Sequence, residues 1–128
     1  MAYTQKQIEK YNRQKYIAEL EKISKNIFRM LRDEHVSSKD FVLKLAQLKK
    51  RLDERVEVHL DAAYHQQLKE YIVRLYRITC LNEEFCDTTF DDIRDAEMSN
   101  LNRLQKLKNG TSYKKDKHKS KCRNEDWG

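Results

Sequence analysis

The sequence predicts an all-α fold, an antiparallel bundle of three or four helices, and three observations carry that prediction. The 128 residues include no proline and only two glycines, where average usage would give about 6 and 9. A sheet of several strands needs turn residues about every 8–12 positions, so all-β and α/β folds are close to excluded. The apolar residues recur at helical and not strand spacing. Helix-starting polar residues stand just ahead of those apolar stripes. The length fits one domain. Its core must be thin, because charged residues make up 38% and apolar residues also 38%, against a usual ~25% and ~45–50%.

Thr4 followed by Gln7 has the form of a capping box, in which the hydroxyl accepts from a backbone N–H and the amide reaches back. A first, long helix starts there, and Tyr16, Leu20, Ile23, Ile27, Met30 and Leu31 form its apolar stripe to about Glu34. Ser37 or Ser38 can cap a second helix. Phe41, Leu45, Leu48, Leu52 and Val56 then make a narrow seam of coiled-coil character, suited to packing within the chain or against a second subunit, so a homodimer is an expectation. A break is predicted near 58–61, with Asp61 as one available cap. The third stripe runs through Tyr64, Leu68, Tyr71, Ile72, Leu75, Ile78 and Thr79 and fades at 82–86. Thr89 is placed to cap a short last helix whose Asp91 and Asp92 suit its positive N-terminal dipole. Ile93, Ala96, Leu101, Leu104 and Leu107 would supply its buried face, and Gly110 a left-handed stop.

The domain division that follows is a helical bundle over 1–110 and a Lys-rich tail over 111–128. The tail holds six basic and three acidic residues with little to bury, so it is expected to stay disordered unless a partner orders it. No apolar run reaches the ~18–20 residues of a membrane span, and residues 1–10 lack the apolar block of a signal peptide. Three cysteines, an odd number, suit a reducing compartment. A cytoplasmic protein without membrane partners is the expectation.

The net charge of +6 is unevenly spread: +3 over 1–34, +2 over 35–60, −2 over 61–87, zero over 88–110 and +3 over 111–128. On the second helix Lys44, Arg51 and Arg55 fall in one angular strip, which Lys49 and Lys50 broaden, and such a strip can lie along phosphates. The tail adds Lys114, Lys115, Lys117, Lys119 and Lys121. The same strip also fits an ordinary solvated face, since Glu9–Arg13, Glu21–Lys25, Asp40–Lys44 and Glu70–Arg74 are acid-before-base pairs four apart.

Other chemistries find little support. Cys80 and Cys86 lie six apart, too far round a helix for a zinc knuckle with His118 and Cys122, and no metal or other cofactor is expected. Neither cysteine has a neighbouring cation to activate it, and one internal glycine cannot build a phosphate loop. Tyr3, Tyr11, Tyr76 and Tyr113 are expected to be exposed, and Trp127 could anchor a partner. The expected function is that of a small non-enzymatic regulatory or accessory protein. It would bind nucleic acid, DNA or RNA, through the basic helical surface and tail. The alternative is a protein-interaction module that meets an acidic protein surface.

Overall fold

The computed structural model describes residues 4–108. They form four α-helices in a bundle: α1 (Gln5–Arg32), α2 (Ser38–Asp53), α3 (Ala63–Thr79) and α4 (Asp87–Lys108). The described residues are 79% helical and contain no strand. Gly110 and the Lys-rich tail lie outside them.

Helix α1 begins as its capping box predicts: the Thr4 hydroxyl accepts from the Gln7 N–H, and the Gln7 side chain accepts from the Thr4 N–H. Its 28 residues span about 42 Å, against about 24 Å for α2, at 1.5 Å per residue. Only its second half is therefore enclosed. Burial starts at Tyr16 and continues through Leu31, while most of the first turns stay exposed. Ser37 is the cap of α2, its hydroxyl accepting from the Asp40 N–H. Phe41, Leu45, Leu48 and Leu52 are all buried within the single chain, so this seam is already covered without a second subunit. Val56 is not part of it. It lies beyond the end of α2 and is 59% exposed.

The break between α2 and α3 is wider than predicted, running from 54 to 62. Leu60 and Ala62 plug the core there, which requires an extended stretch of chain. Asp61 caps nothing; it pairs with Arg13 of α1 at 3.3 Å and with His59 at 3.1 Å. Ala62 holds the cap position of α3 and makes no side-chain cap bond.

Three expectations for the last helix need correction. It is 22 residues long, not short, and it starts at Asp87, which places Thr89 inside its first turn. The Asp87 carboxylate reaches back to accept from the Ser38 N–H at 2.8 Å, joining the starts of α2 and α4. Ala96 is exposed, and Glu97 takes the buried position. A carboxylate is tolerated there because Arg74 of α3 donates to it at 2.8 Å and Asn100 at 3.1 Å.

Arg94 ties the turn between α1 and α2 to α4. Its guanidinium lies 4.0 Å from the Phe90 ring centre and donates to the carbonyls of Met30, Leu31, Asp33 and Val36 at 2.7–3.1 Å. These include carbonyls that the end of a helix leaves without intrahelical partners. Next to this anchor Phe41, Phe85 and Phe90 stack as a trio, with Phe41 and Phe90 ring centres 4.7 Å apart.

The Asp87 cap has a pH consequence. Its hydrogen bond from Ser38 holds the carboxyl below its ordinary 3.8. A group depressed in the folded state contributes fully above its unfolded pKa and loses that contribution as pH falls below it. Thermal melts from pH 7 to pH 2.5 should show a smaller acid-dependent fall in Tm for Asp87→Asn than for the wild type. Equal falls would contradict the cap.

Candidate nucleic-acid interface

The five helix-2 cations of the predicted strip do not share one environment. Lys49 is folded away: it pairs with Asp53 at 2.9 Å and lies over the Tyr76 ring of α3, at 5.1 Å from its centre. Tyr76 is accordingly half-buried and not exposed as predicted. Arg55, just past the end of α2, pairs with Glu19 of α1 at 3.4 Å. Lys44, Lys50 and Arg51 have no ion-pair partner among the described residues. Lys44 is half-exposed, and the other two are exposed.

These contacts orient α2. Lys49 marks the flank toward α3, and Lys44 and Arg51 lie about 140–160° around the axis from it at 100° per residue. They therefore stand on the flank toward α1. On α1 the marker is Glu19, which reaches Arg55. Lys15, Lys22 and Asn26 lie within about 60° of Glu19 around α1 at 100° per residue, on the same edge. Arg29 stands opposite the buried Leu20 and lines a cavity with Leu101 and Gln105 of α4. Lys15, Lys22 and Arg29 are exposed. Asn26 donates to the Lys22 carbonyl at 2.9 Å and accepts from Arg29.

The antiparallel pairing then sets the levels. Starting from Glu19 opposite Arg55, moving three residues forward on α1 and four back on α2 sets Lys22 opposite Arg51. The α1–α2 face thus carries Lys15, Lys22, Lys44 and Arg51, with Glu19, bound to Arg55, between the two lysines of α1, and with Asp33 and Asp40 at the end where the turn joins the helices. In water, two like charges about 10 Å apart repel by only a few tenths of a kcal/mol, so the fold tolerates this face while counterions gather on it.

Spacing along α1 does not reveal that Lys15 and Lys22 stand beside α2, because the sequence does not say which edge of α1 meets it. Among the described residues none of the four acid-before-base pairs forms an ion pair, and in three of them one member turns to another helix or loop. Arg13 turns to Asp61, Glu21 to His65 at 3.3 Å and Arg74 to Glu97. Charges here join helices, and the α1–α2 face is one of several basic regions without ion pairs, since Lys6, Lys10, Lys25, Arg32, Lys39, Arg77, Arg103 and Lys106 also make none among the described residues. Lys114, Lys115, Lys117, Lys119 and Lys121 lie outside the described residues.

The remaining chemistry-bearing groups do not converge. Among the described residues no group of three or more His, Cys, Asp or Glu side chains could hold a metal ion, and His118 and Cys122 lie outside them. Cys80 is half-buried with its thiol on the Val42 carbonyl at 3.5 Å, and burial pushes that thiol up. Cys86 corrects an expectation, because it needs no cation. The Thr89 hydroxyl, followed by the Thr89 and Thr88 backbone N–H groups at the start of α4, holds its exposed thiol below the usual range. Tyr71 is buried, and desolvation, then the Glu97 carboxylate, push its phenol far up.

The described residues thus define a four-helix bundle with exposed cations on α1 and α2. No helix among the described residues is long and apolar enough to cross a membrane. Comparison with known protein families, with curated proteins and with solved structures finds no match to the chain.

Proposed function

We propose that the protein is a small non-enzymatic accessory or regulatory protein that binds nucleic acid, the phosphate backbone lying along the α1–α2 face. One observation carries this: Lys15, Lys22, Lys44 and Arg51 are exposed or half-exposed, make no ion pair among the described residues, and lie on the flanks of α1 and α2 that meet at the Glu19–Arg55 contact. Each phosphate contact releases condensed counterions, and that release supplies the sequence-independent part of binding. The tail lysines add contacts of the same kind, so positioning and not base reading is the expected mode.

Two measurements test this. Protein purified in low salt should carry nucleic acid, seen as a raised ratio of absorbance at 260 to 280 nm that nuclease abolishes. With duplex DNA, the logarithm of affinity should fall with the logarithm of salt by about 0.9 per phosphate contact. Deleting residues 111–128 should flatten that slope by up to about 4 units. No affinity tighter than about 10⁻⁴ M at physiological salt, or a co-purifying protein partner that survives nuclease, would overturn the proposal in favour of an acidic protein partner.

A further inference from the structure

We infer that the cavity between α1 and α4 binds a nucleoside monophosphate, its phosphate on the cations of α1 and its base against the wall that α4 completes. This site is separate from the α1–α2 face and does not depend on the nucleic-acid function proposed above. The cavity has a volume of about 310 Å³, and small-molecule sites run from about 300 to 1,000 Å³. Lys25, Arg29 and Arg32 line it. At steps of four and three they fall within about 60° of one another around α1. None of the three makes an ion pair among the described residues, and no carboxylate lines the cavity. Cavities elsewhere on the bundle differ in this respect, because Glu70 lines two of them and Glu9 another. Between α1 and α4 an anion meets three cations and no opposing carboxylate.

Each cation keeps its charge for a local reason. Glu21, four residues before Lys25, turns to His65 at 3.3 Å. Arg29 donates to the neutral Asn26 side chain, and the Arg32 guanidinium lies 5.7 Å from the Phe28 ring centre. Cations in the last turn of a helix also suit its dipole, but Lys25 stands two turns before Arg32, and Arg94 already meets carbonyls at that end. The rest of the wall is uncharged. Phe28 and the buried Leu101 supply apolar surface, and Ser24, Asn102 and Gln105 supply hydroxyl and amide groups. A side-chain amide carries both donors and an acceptor, which matches the donors and acceptors on the edge of a nucleobase. Inorganic phosphate would engage the cations and leave this wall unused. An uncharged nucleoside would engage the wall and leave the cations as they are, whereas a nucleoside monophosphate uses both.

The test is isothermal titration calorimetry of the full chain with adenosine 5′-monophosphate (AMP), inorganic phosphate and adenosine. AMP should bind one to one, at least about tenfold tighter than phosphate or adenosine alone. Lys25→Gln and Arg32→Gln should each weaken AMP by about tenfold, the loss of one charge-assisted contact. Asn102→Ala should weaken AMP by about threefold or more and leave phosphate binding as it was. The control Lys15→Gln with Lys22→Gln, on the edge of α1 toward α2, should hold AMP affinity within about twofold. All these side chains are exposed, and an unchanged helical dichroism spectrum confirms folding. AMP bound no more tightly than inorganic phosphate, or with an affinity indifferent to Lys25 and Arg32, overturns the inference. Displacement of bound AMP by duplex DNA would give the same cations to the polymer and overturn a separate small-molecule site. A protein that binds AMP and no nucleic acid keeps this inference and removes the function proposed above.

Discussion

Arg94→Ala should destabilise the protein by about 3–5 kcal/mol, the largest loss expected from any single surface-reaching side chain. The guanidinium is mostly buried, its side chain 12% exposed, and it donates to four carbonyls at the close of α1 and in the turn that follows. Hydrogen bonds to a charged group contribute about 1.5–3 kcal/mol each, and partly buried carbonyls left without donors add their desolvation cost. The bonds share one guanidinium, so they do not add in full. Arg94→Lys should recover less than half, since a single ammonium cannot reproduce the planar fork of donors. Urea unfolding followed by dichroism checks both. A loss below about 1 kcal/mol for the alanine variant would show that water satisfies these carbonyls equally well.

Phe41→Ala should cost about 3–5 kcal/mol, the range for a large side chain removed from a packed core. Phe41 has no exposed surface and is the common neighbour of Phe85 and Phe90. Its position joins the start of α2 to the turn before α4, and helix ends leave the ring trio little room to collapse into the void. Leu48→Ala and Leu52→Ala should each cost about 2–5 kcal/mol for the same reason. They also decide a structural point. Stability that does not depend on protein concentration would show that the α2 seam is buried within one chain, whereas concentration-dependent melting would assign part of it to a dimer interface.

The elements legible in the sequence were those whose cause is local. Thr4 with Gln7 marks the start of α1, and one of the adjacent serines, Ser37, marks the start of α2. The four-residue steps of leucine and phenylalanine place the core faces. Features that depend on a distant partner were not legible. Glu97 is a charged residue that spacing would put at the core, and only Arg74 from another helix makes that affordable. Arg94 reads as an ordinary helix-surface cation until its target carbonyls come from a turn sixty residues earlier. The start of α4 was misplaced because Cys86 precedes the helix while the more usual capping residue, Thr89, hydrogen-bonds back to it. For the candidate interface, Lys44 and Arg51 were visible as one strip. Placing Lys15 and Lys22 beside them requires knowing which edge of α1 meets α2, information held by the Glu19–Arg55 contact.

The most direct test of the central claim is a lysine footprint on the intact protein. Brief acetylation at low salt, with and without saturating duplex, followed by peptide mass spectrometry, reads the accessibility of each lysine separately. With duplex bound, Lys15, Lys22 and Lys44 should lose most of their reactivity, while Lys6 and Lys10 on the far flank of α1 react as before. Protection centred on Lys6 and Lys10, or no protection of Lys15, Lys22 and Lys44 under conditions where the duplex is bound, would contradict the proposal that the α1–α2 face is the nucleic-acid interface.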